Sequence, residues 1–297
     1  MYKIDYDVNR TENCVLIDSD AWIQAPNVIQ QYRLSGRRVI TYITKVIDIN
    51  PVKEAFKGII KKGDTILVSR VASEVSQYRN YSLLGNQKYY NLPISQVLGV
   101  FEDNIISLGT LRLLFNKVLY EKVSVNSGIL EDTNSCATIG KILKQGPTKL
   151  TAKDELVPLS VQINDVALFK DNVSTKITLD GKDYFVAEDE SVVCTFTDKS
   201  DLESARFLNG SILMSPYIPE KLSNHLWTPA MNYEDEDYTD IYKRDRFKID
   251  YIDPNLTVVK KGDIIWVDRN ITTYAFCNGK RYFLITGTDH IEFKELS

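Results

Sequence analysis

The side chains able to do chemistry are few and poorly grouped. There are two histidines, His225 and His290. His290 heads the apolar segment His-Ile-Glu-Phe and reads as a structural residue. His225 stands near Trp227 in a long polar stretch and reads as a contact residue. The four cysteines, Cys14, Cys136, Cys194 and Cys277, form no CxxC pair. They read as buried thiols, because free cysteine behaves as a small hydrophobe, and the chain is expected to fold without disulfides. No HExxH, no Cys/His ligand spacing and no EF-hand loop is present, so metal binding has no support. GxSxG, GxGxxG and GxxxxGK[ST] are absent too; Gly140 to Gly146 is not followed by Lys-Ser/Thr. Carboxylates are plentiful, but none are paired in a frame for general acid–base work. The expectation is a non-enzyme with no catalytic residue, no cofactor and no metal.

Binding chemistry remains. Val28-Ile29, Ile129-Leu130 and Leu226-Trp227 are apolar pairs set in polar surroundings. Each is either core or an interface anchor, since aliphatic and aromatic side chains in polar loops carry much of the energy at interfaces. Glu234-Asp235-Glu236-Asp237 is flanked by Tyr233, Tyr238 and Tyr242. This run is either a solvated face or a surface that docks on a basic protein. These ten residues, Val28, Ile29, Ile129, Leu130, Leu226, Trp227, Glu234, Asp235, Glu236 and Asp237, are the candidate partner-binding residues.

Bulk properties narrow the partner class. Lys and Arg number 36 against 40 Asp and Glu, a net charge of −4, whereas general nucleic-acid binding needs a basic surface. No apolar run reaches the length of a membrane span, and the first twenty residues lack a signal-peptide core. The 43% hydrophobic content is that of an ordinary core-forming chain. A protein partner is therefore expected, with no membrane.

The elements that must position these residues repeat along the chain. Lys61-Lys62-Gly63-Asp64-Thr65-Ile66-Leu67-Val68, Gln162-Ile163-Asn164-Asp165-Val166-Ala167-Leu168-Phe169 and Lys260-Lys261-Gly262-Asp263-Ile264-Ile265-Trp266-Val267 each set a turn pair before an apolar strand. The aspartates recur at a near-constant spacing, close to the length of one small domain. At that strand entry an Asp bonds its own backbone. A turn glycine follows each time, at Gly85, Gly181 and Gly279, and then an aromatic strand: Tyr89-Tyr90, Tyr184-Phe185 and Tyr282-Phe283. Asp180-Gly181 and Asn278-Gly279 are tight-hairpin dipeptides. Last strands are expected at Val97–Phe101, Val192–Phe196 and His290–Phe293. Opening strands are expected at Ala21–Ile23, Lys117–Tyr120 and Ser211–Met214, and second strands at Arg38–Ile43, Ala137–Leu143 and Phe247–Ile252. The class predicted is all-β, with three modules over 1–104, 105–199 and 200–297, the third holding a long loop at 219–244.

This order of motifs resembles the GroES-like co-chaperonin subunit. The middle copy fits best. Asn116-Lys117-Val118-Leu119-Tyr120 is similar to the family's opening strand, and Ser127-Gly128-Ile129-Leu130 looks like the apolar tip of its mobile loop. Thr138–Leu143, Val161–Phe169 and Asp180-Gly181-Lys182-Asp183-Tyr184-Phe185-Val186 complete the series. The third copy shows Val259-Lys260-Lys261-Gly262-Asp263-Ile264, and the first matches mainly through Lys61–Val68 and its last strands. The resemblance implies three partly open β-barrels, each able to lend a strand or loop to a neighbour. The loops depart from the pattern: the first, Pro26 to Gly36, is short, and the third, Pro219 to Arg244, is long and acidic.

Two functions follow as expectations. The first is a structural component of a virus particle, an auxiliary phage capsid protein whose three unlike loops bridge three surfaces, so that linkage raises avidity. The alternative is a co-chaperonin lid acting in the bacterial cytoplasm, with a chaperonin as partner. Against the alternative, the resemblance implies a seven-membered ring, which three modules per chain do not divide. The oligomeric state stays open.

Overall fold

The computed structural model describes residues 14–23, 43–51, 53–69, 81–84, 87–123, 137–151, 155–170, 174–197, 201–217, 246–267, 273–277 and 280–294. Among these residues there is no α-helix; strands joined by single 3-10 turns build three principal sheets. The first contains β1 (Cys14–Ile23), β2 (Ile43–Asn50), β3 (Thr65–Val68), β4 (Tyr81–Leu84), β5 (Gln87–Pro93), β6 (Val97–Phe101) and β7 (Leu111–Leu113). The second contains β8 (Lys117–Lys122), β9 (Ala137–Gln145), β12 (Val166–Lys170), β13 (Thr175–Leu179), β14 (Lys182–Glu188), β15 (Val192–Phe196) and β16 (Ala205–Phe207). A two-stranded hairpin of β10 (Lys149–Leu150) and β11 (Leu156–Val157) lies between β9 and β12 in the chain. The third contains β17 (Ser211–Pro216), β18 (Arg246–Ile252), β19 (Ile264–Val267), β20 (Thr273–Cys277), β21 (Lys280–Thr286) and β22 (Ile291–Lys294).

The strand orders are β4-β5-β1-β2-β3-β6-β7, β13-β14-β8-β9-β12-β15-β16 and β20-β21-β17-β18-β19-β22. Written by position within each sheet these are one order, with a seventh strand in the first two. The irregularities recur as well. The pairing slips by one residue between Leu67 and Val68, between Leu168 and Phe169, and between Trp266 and Val267. The extra residues are Leu98, Val193 and Glu292. A bulge also falls opposite Leu16/Ile17 and opposite Leu213/Met214, where the extra residues are Ile47 in β2 and Asp250 in β18. Bulges bend a strand and fix its register, so matching bulges mean matching curvature.

The turns explain why these segments form strands where they do. Gly63 and Gly262 have φ of 88° and 93°, and Asn164 takes their place with φ of 78°. Only Gly, or a residue such as Asn that bonds locally, adopts this region readily. Asp64 Oδ2 accepts the Lys61 N–H at 2.7 Å, and Asp263 Oδ2 accepts the Lys260 N–H at 2.9 Å. These aspartates close their own turns, as the sequence predicts. The hairpin at Asp180-Gly181 has φ of 51° and 77°, with Leu179 opposite Lys182.

Two first-sheet strands differ from expectation. The opening strand is not Ala21–Ile23 alone but the whole of β1, whose Cys14, Val15, Leu16 and Ile17 are buried. The second strand begins at Ile43, where Arg38–Ile43 was expected to end, and runs to Asn50; residues 38–42 are outside the described set. Here Ile43, Thr44 and Val46 are buried around exposed Lys45, so the strand follows its inward-facing positions. Sequence reasoning also missed β7 and β16, which are too short to show a period. β7 pairs with β6 and β16 with β15, so each strand leading out of a sheet adds to that sheet's edge before the next one starts.

The chain divides into two compact units: Met1–Glu121 with Ile142–Ile163 and Ser174–Asp189, and Lys122–Lys141 with Asn164–Val173 and Glu190–Ser297. Strand β9 passes from one to the other. In the first unit, one core cluster lies inside the first sheet (Val15, Ile17, Val46, Phe56, Ile66, Leu92, Ile94 and neighbours). A second cluster joins Ile43, Leu67, Leu98, Phe101, Leu111 and Leu113 to Leu119, Ile177, Leu179, Tyr184 and Val186. The second unit has its own pair. One cluster lies inside the third sheet (Ile212, Met214, Phe247, Ile249, Ile265, Phe283 and neighbours). The other joins Ile139, Leu168, Val193, Phe196 and Phe207 to Leu213, Tyr282 and Leu284. The two joining clusters use the same strand positions.

Candidate partner-binding site

The candidate residues fall on one kind of connection, the one between the first and second strands of each sheet. Its ends are held as strand pairs. In the first sheet Trp22 is opposite Thr44 and Ile23 opposite Ile43. In the second the Val123 N–H donates to the Ile139 carbonyl at 3.1 Å. In the third Pro216 is opposite Phe247, and the Tyr217 N–H donates to the Arg246 carbonyl at 3.0 Å. The connections between these anchors, 24–42, 124–136 and 218–245, contain Val28 and Ile29, Ile129 and Leu130, and Leu226, Trp227, Glu234, Asp235, Glu236 and Asp237. All ten residues lie outside the described set, and so do Cys136 and His225. The described strand ends stand farthest apart in sequence at the third connection; the short first loop expected at Pro26 to Gly36 and the long third loop expected at Pro219 to Arg244 lie outside the described residues.

The strands carrying the middle connection are well fixed. Buried Tyr120 on β8 stacks on Phe185 with ring centroids 5.5 Å apart, and its hydroxyl pairs with Ser174 Oγ at 2.7 Å. Glu121 pairs with Lys182, which raises the lysine's pKa through that hydrogen bond. Lys176 bonds Asp183 at 2.6 Å and, with the Thr178 hydroxyl, holds its carboxyl below the ordinary value. These exposed pairs add little to stability; they give β8, β13 and β14 a charged outer face.

A polar clasp that sequence reasoning missed lies at the other end of the middle sheet. Asp189 is fully buried in the 3-10 turn before β15. Its carboxylate accepts the Ser160 N–H at 3.0 Å and the Ser160 hydroxyl at 2.9 Å, and Lys149 Nζ is 3.9 Å away. Buried Lys117 bonds Glu188 at 2.6 Å. The clasp ties the β10–β11 hairpin segment to the sheet. No local pattern in the sequence marks Asp189, because its partners stand some thirty residues upstream.

The third sheet has a different surface. The Arg246 guanidinium lies 5.3 Å from the Tyr217 ring and 5.4 Å from the Trp266 ring. Nearby, the Tyr251 hydroxyl donates to Glu203 at 2.9 Å, and Lys261 reaches the same carboxylate at 3.3 Å. Burial and the Glu203 bond push the Tyr251 pKa up, while the phenol and the lysine lower that of Glu203. Cys14 and Cys194 are buried and are not joined in a disulfide. Among the described residues no cluster of three His, Cys, Asp or Glu could hold a metal, and no helix is long and apolar enough to cross a membrane.

Comparison with known proteins bears on this architecture directly. Residues 112–196, which run from β7 to the end of β15, match the model of the chaperonin 10 kDa subunit. The chain is similar to co-chaperonin GroES of Aquifex aeolicus, 32% identical over 99 residues, or 31% of this chain and 81% of that protein. It is also similar to the mitochondrial 10 kDa heat shock protein of Oryzias latipes, 28% identical over 29% of this chain and 92% of the relative. Co-chaperonin GroES of Halorhodospira halophila is 26% identical over 29% of this chain and 90% of the relative. Nothing here supports the capsid component placed first in the sequence reading, and the co-chaperonin alternative is the more direct. Residues 112–196 form a chaperonin 10 kDa subunit domain, and through it the chain belongs to the GroES co-chaperonin family.

Proposed function

We propose that the chain is a non-enzymatic co-chaperonin built from three GroES-like modules, and that it caps a chaperonin through the connections 24–42, 124–136 and 218–245. The observation that carries this reading is the strand order of the family-matched middle sheet, which recurs in the sheets on either side with the same bulge at Leu98, Val193 and Glu292. Each copy sets its first-to-second connection on a paired strand end. In the middle copy Ile129-Leu130 is the docking tip. The other two loops differ in length and charge, so one chain presents three unequal contacts whose linkage raises their joint occupancy. The acidic run Glu234–Asp237 then meets a basic patch on the partner.

The test is capture with the tagged full-length chain from its source cells, with and without ATP or ADP, followed by identification of the bound proteins by mass. A chaperonin retained in a nucleotide-dependent complex is the expected result, with at least tenfold less retained by Ile129→Ser/Leu130→Ser at an unchanged melting temperature. Failure to retain a chaperonin under any nucleotide, with another protein recovered instead, sinks the reading.

A further inference from the structure

The turn that leads into β17 holds a bond able to rearrange without any enzyme. Asn209-Gly210 joins β16 to β17, with φ of 54° and 69°, and the Ser211 N–H donates to the Leu208 carbonyl at 2.9 Å. A turn with two positive φ angles calls for this dipeptide. The same dipeptide is chemically weak, since asparagine is thermolabile and glycine places no side chain in the way. The glycine nitrogen attacks the asparagine side-chain carbonyl carbon, and a C–N bond closes a five-membered imide. The side-chain nitrogen leaves as ammonia, carrying the glycine's proton. Water then opens the ring to aspartate or isoaspartate.

Both reacting groups are tied down here. The Gly210 N–H, the nucleophile, donates to Asp253 Oδ2 at 2.8 Å, and Asn209 Nδ2, the leaving group, donates to the Val192 carbonyl at 3.1 Å. Asp253 is only 3% exposed and is itself fixed. Its other oxygen accepts the Asn255 N–H and Asn255 Nδ2, each at 2.9 Å. A hydrogen bond to a carboxylate is about twice as strong as a neutral one, and this one must break before Gly210 can turn toward Asn209. The carboxylate's charge also opposes loss of the amide proton in a buried place. On the other flank the Gly287 N–H donates to the Gly210 carbonyl at 2.8 Å, and a Cβ on Gly210 would lie 3.2 Å from the Gly287 nitrogen. The turn has little room to move.

The turn that leads into β8 shows what stands there when no such bond needs holding. Its central residues are Phe115 and Asn116, closed by the Lys117 N–H on the Leu114 carbonyl at 3.1 Å. The Asp253 N–H donates to the Ser211 carbonyl at 2.9 Å, and the Gly146 N–H donates to the Lys117 carbonyl at 2.7 Å, so Gly146 occupies the place of Asp253. A Cβ on Gly146 would fall 2.0 Å from the Phe115 carbonyl oxygen, so no carboxylate fits there. The Asn-Gly turn faces an aspartate, and the other turn faces a glycine. We propose that Asn209 is a latent site of spontaneous deamidation and that Asp253 guards it. The inference does not depend on the chaperonin. Isoaspartate at Asn209 would add a backbone atom at the head of β17, which lies between β21 and β18, and would displace its register.

The experiment holds the full-length chain in warm, mildly alkaline buffer, folded or unfolded in urea, and follows the peptide containing Asn209 by mass and by elution. In urea the second Asn-Gly pair of the sequence, Asn278-Gly279, serves as the internal reference. Folded wild type is expected to convert at Asn209 at least about tenfold more slowly than the unfolded chain, and folded Asp253→Ala about tenfold faster than folded wild type, the worth of one hydrogen bond to a charged group. Two results overturn the proposal: folded wild type that converts as fast as the unfolded chain, or folded Asp253→Ala that converts no faster than folded wild type. If Asp253→Ala does not fold, Asp253→Asn, of the same shape but with a neutral and weaker acceptor, is read by the same criterion. The wild-type arm stands alone in either case. Chaperonin is absent throughout, so failure here is separate from failure of the capture experiment.

Discussion

The first and middle sheets close the same end of their cores with opposite chemistry. In both, a 3-10 turn links the fifth and sixth strands, and the residue that opens it is fully buried: Ile94 in one, Asp189 in the other. Registers make the two equivalent, since Cys14 is opposite Pro93 and Lys117 opposite Glu188. Around Ile94 the connection from second to third strand folds inward as an apolar plug. Phe56 and Ile60 are buried, and the Phe56 ring meets Phe115 edge-on at 5.2 Å. Around Asp189 the equivalent connection is the β10–β11 hairpin segment, held by two hydrogen bonds from Ser160. One backbone position therefore serves a hydrophobic lid or a polar clasp, depending on whether its connection is short enough to pack or long enough to need tying down.

Exchanging the two chemistries breaks the comparison hardest. Ile94→Asp puts a carboxylate where no donor has been placed for it and should cost about 4 kcal/mol or more, enough to prevent folding. Asp189→Ile removes the acceptor of two hydrogen bonds in a buried site and should cost about 2–3 kcal/mol, since the Ser160 donors lose their partner. Urea unfolding of both variants checks the order. Equal and small losses would mean the two sites are not the closures described here.

The turns before β3, β12 and β19 sharpen the same theme at lower energy. Neither Gly63 nor Gly262 has an atom within 4 Å of where a Cβ would stand, so Ala there costs only the backbone conformation, about 1 kcal/mol each. Asn164→Gly should change stability by less than about half that. Thermal melts of the three variants decide whether the positions are interchangeable.

The smallest effect is electrostatic. Burial pushes the Asp263 carboxyl up, but the bond from Lys294 at 2.7 Å and the Lys260 N–H pull it down further, and the net shift is downward. A lowered folded value means stability that is whole above the unfolded value near 4 and is lost as pH falls through the folded one. Lys294→Ala should therefore cost below about 1 kcal/mol at neutral pH, and the difference from wild type should shrink below pH 4. A difference that is constant from neutral to strongly acidic pH would remove the pair from the account.

Strands announced by a turn and a run of apolar residues were legible in the sequence. β3, β6, β12, β15 and β19 all stand behind such signals, and their spacing exposes the common order. Cys14–Asp20 was missed because Asp18 and Asp20 interrupt its apolar run, and β7 and β16 because three residues show no period. The family-matched middle region was the one whose motifs fitted best. The polar clasp was illegible because its bonds connect residues distant in sequence. Arg246 could have been found by laying the three sheets in register, where it stands in the column of Ile43 and Ile139.

The joining cluster of the first unit also has a consequence in time. The ribosome makes Ile43, Leu67, Leu98 and Phe101 well before Ile177, Leu179, Tyr184 and Val186, which cover them. At about 5–20 residues per second, the nascent chain carries an uncovered aliphatic face for several seconds. A protein of this family would thus be, during its own synthesis, a polypeptide in need of shelter from aggregation.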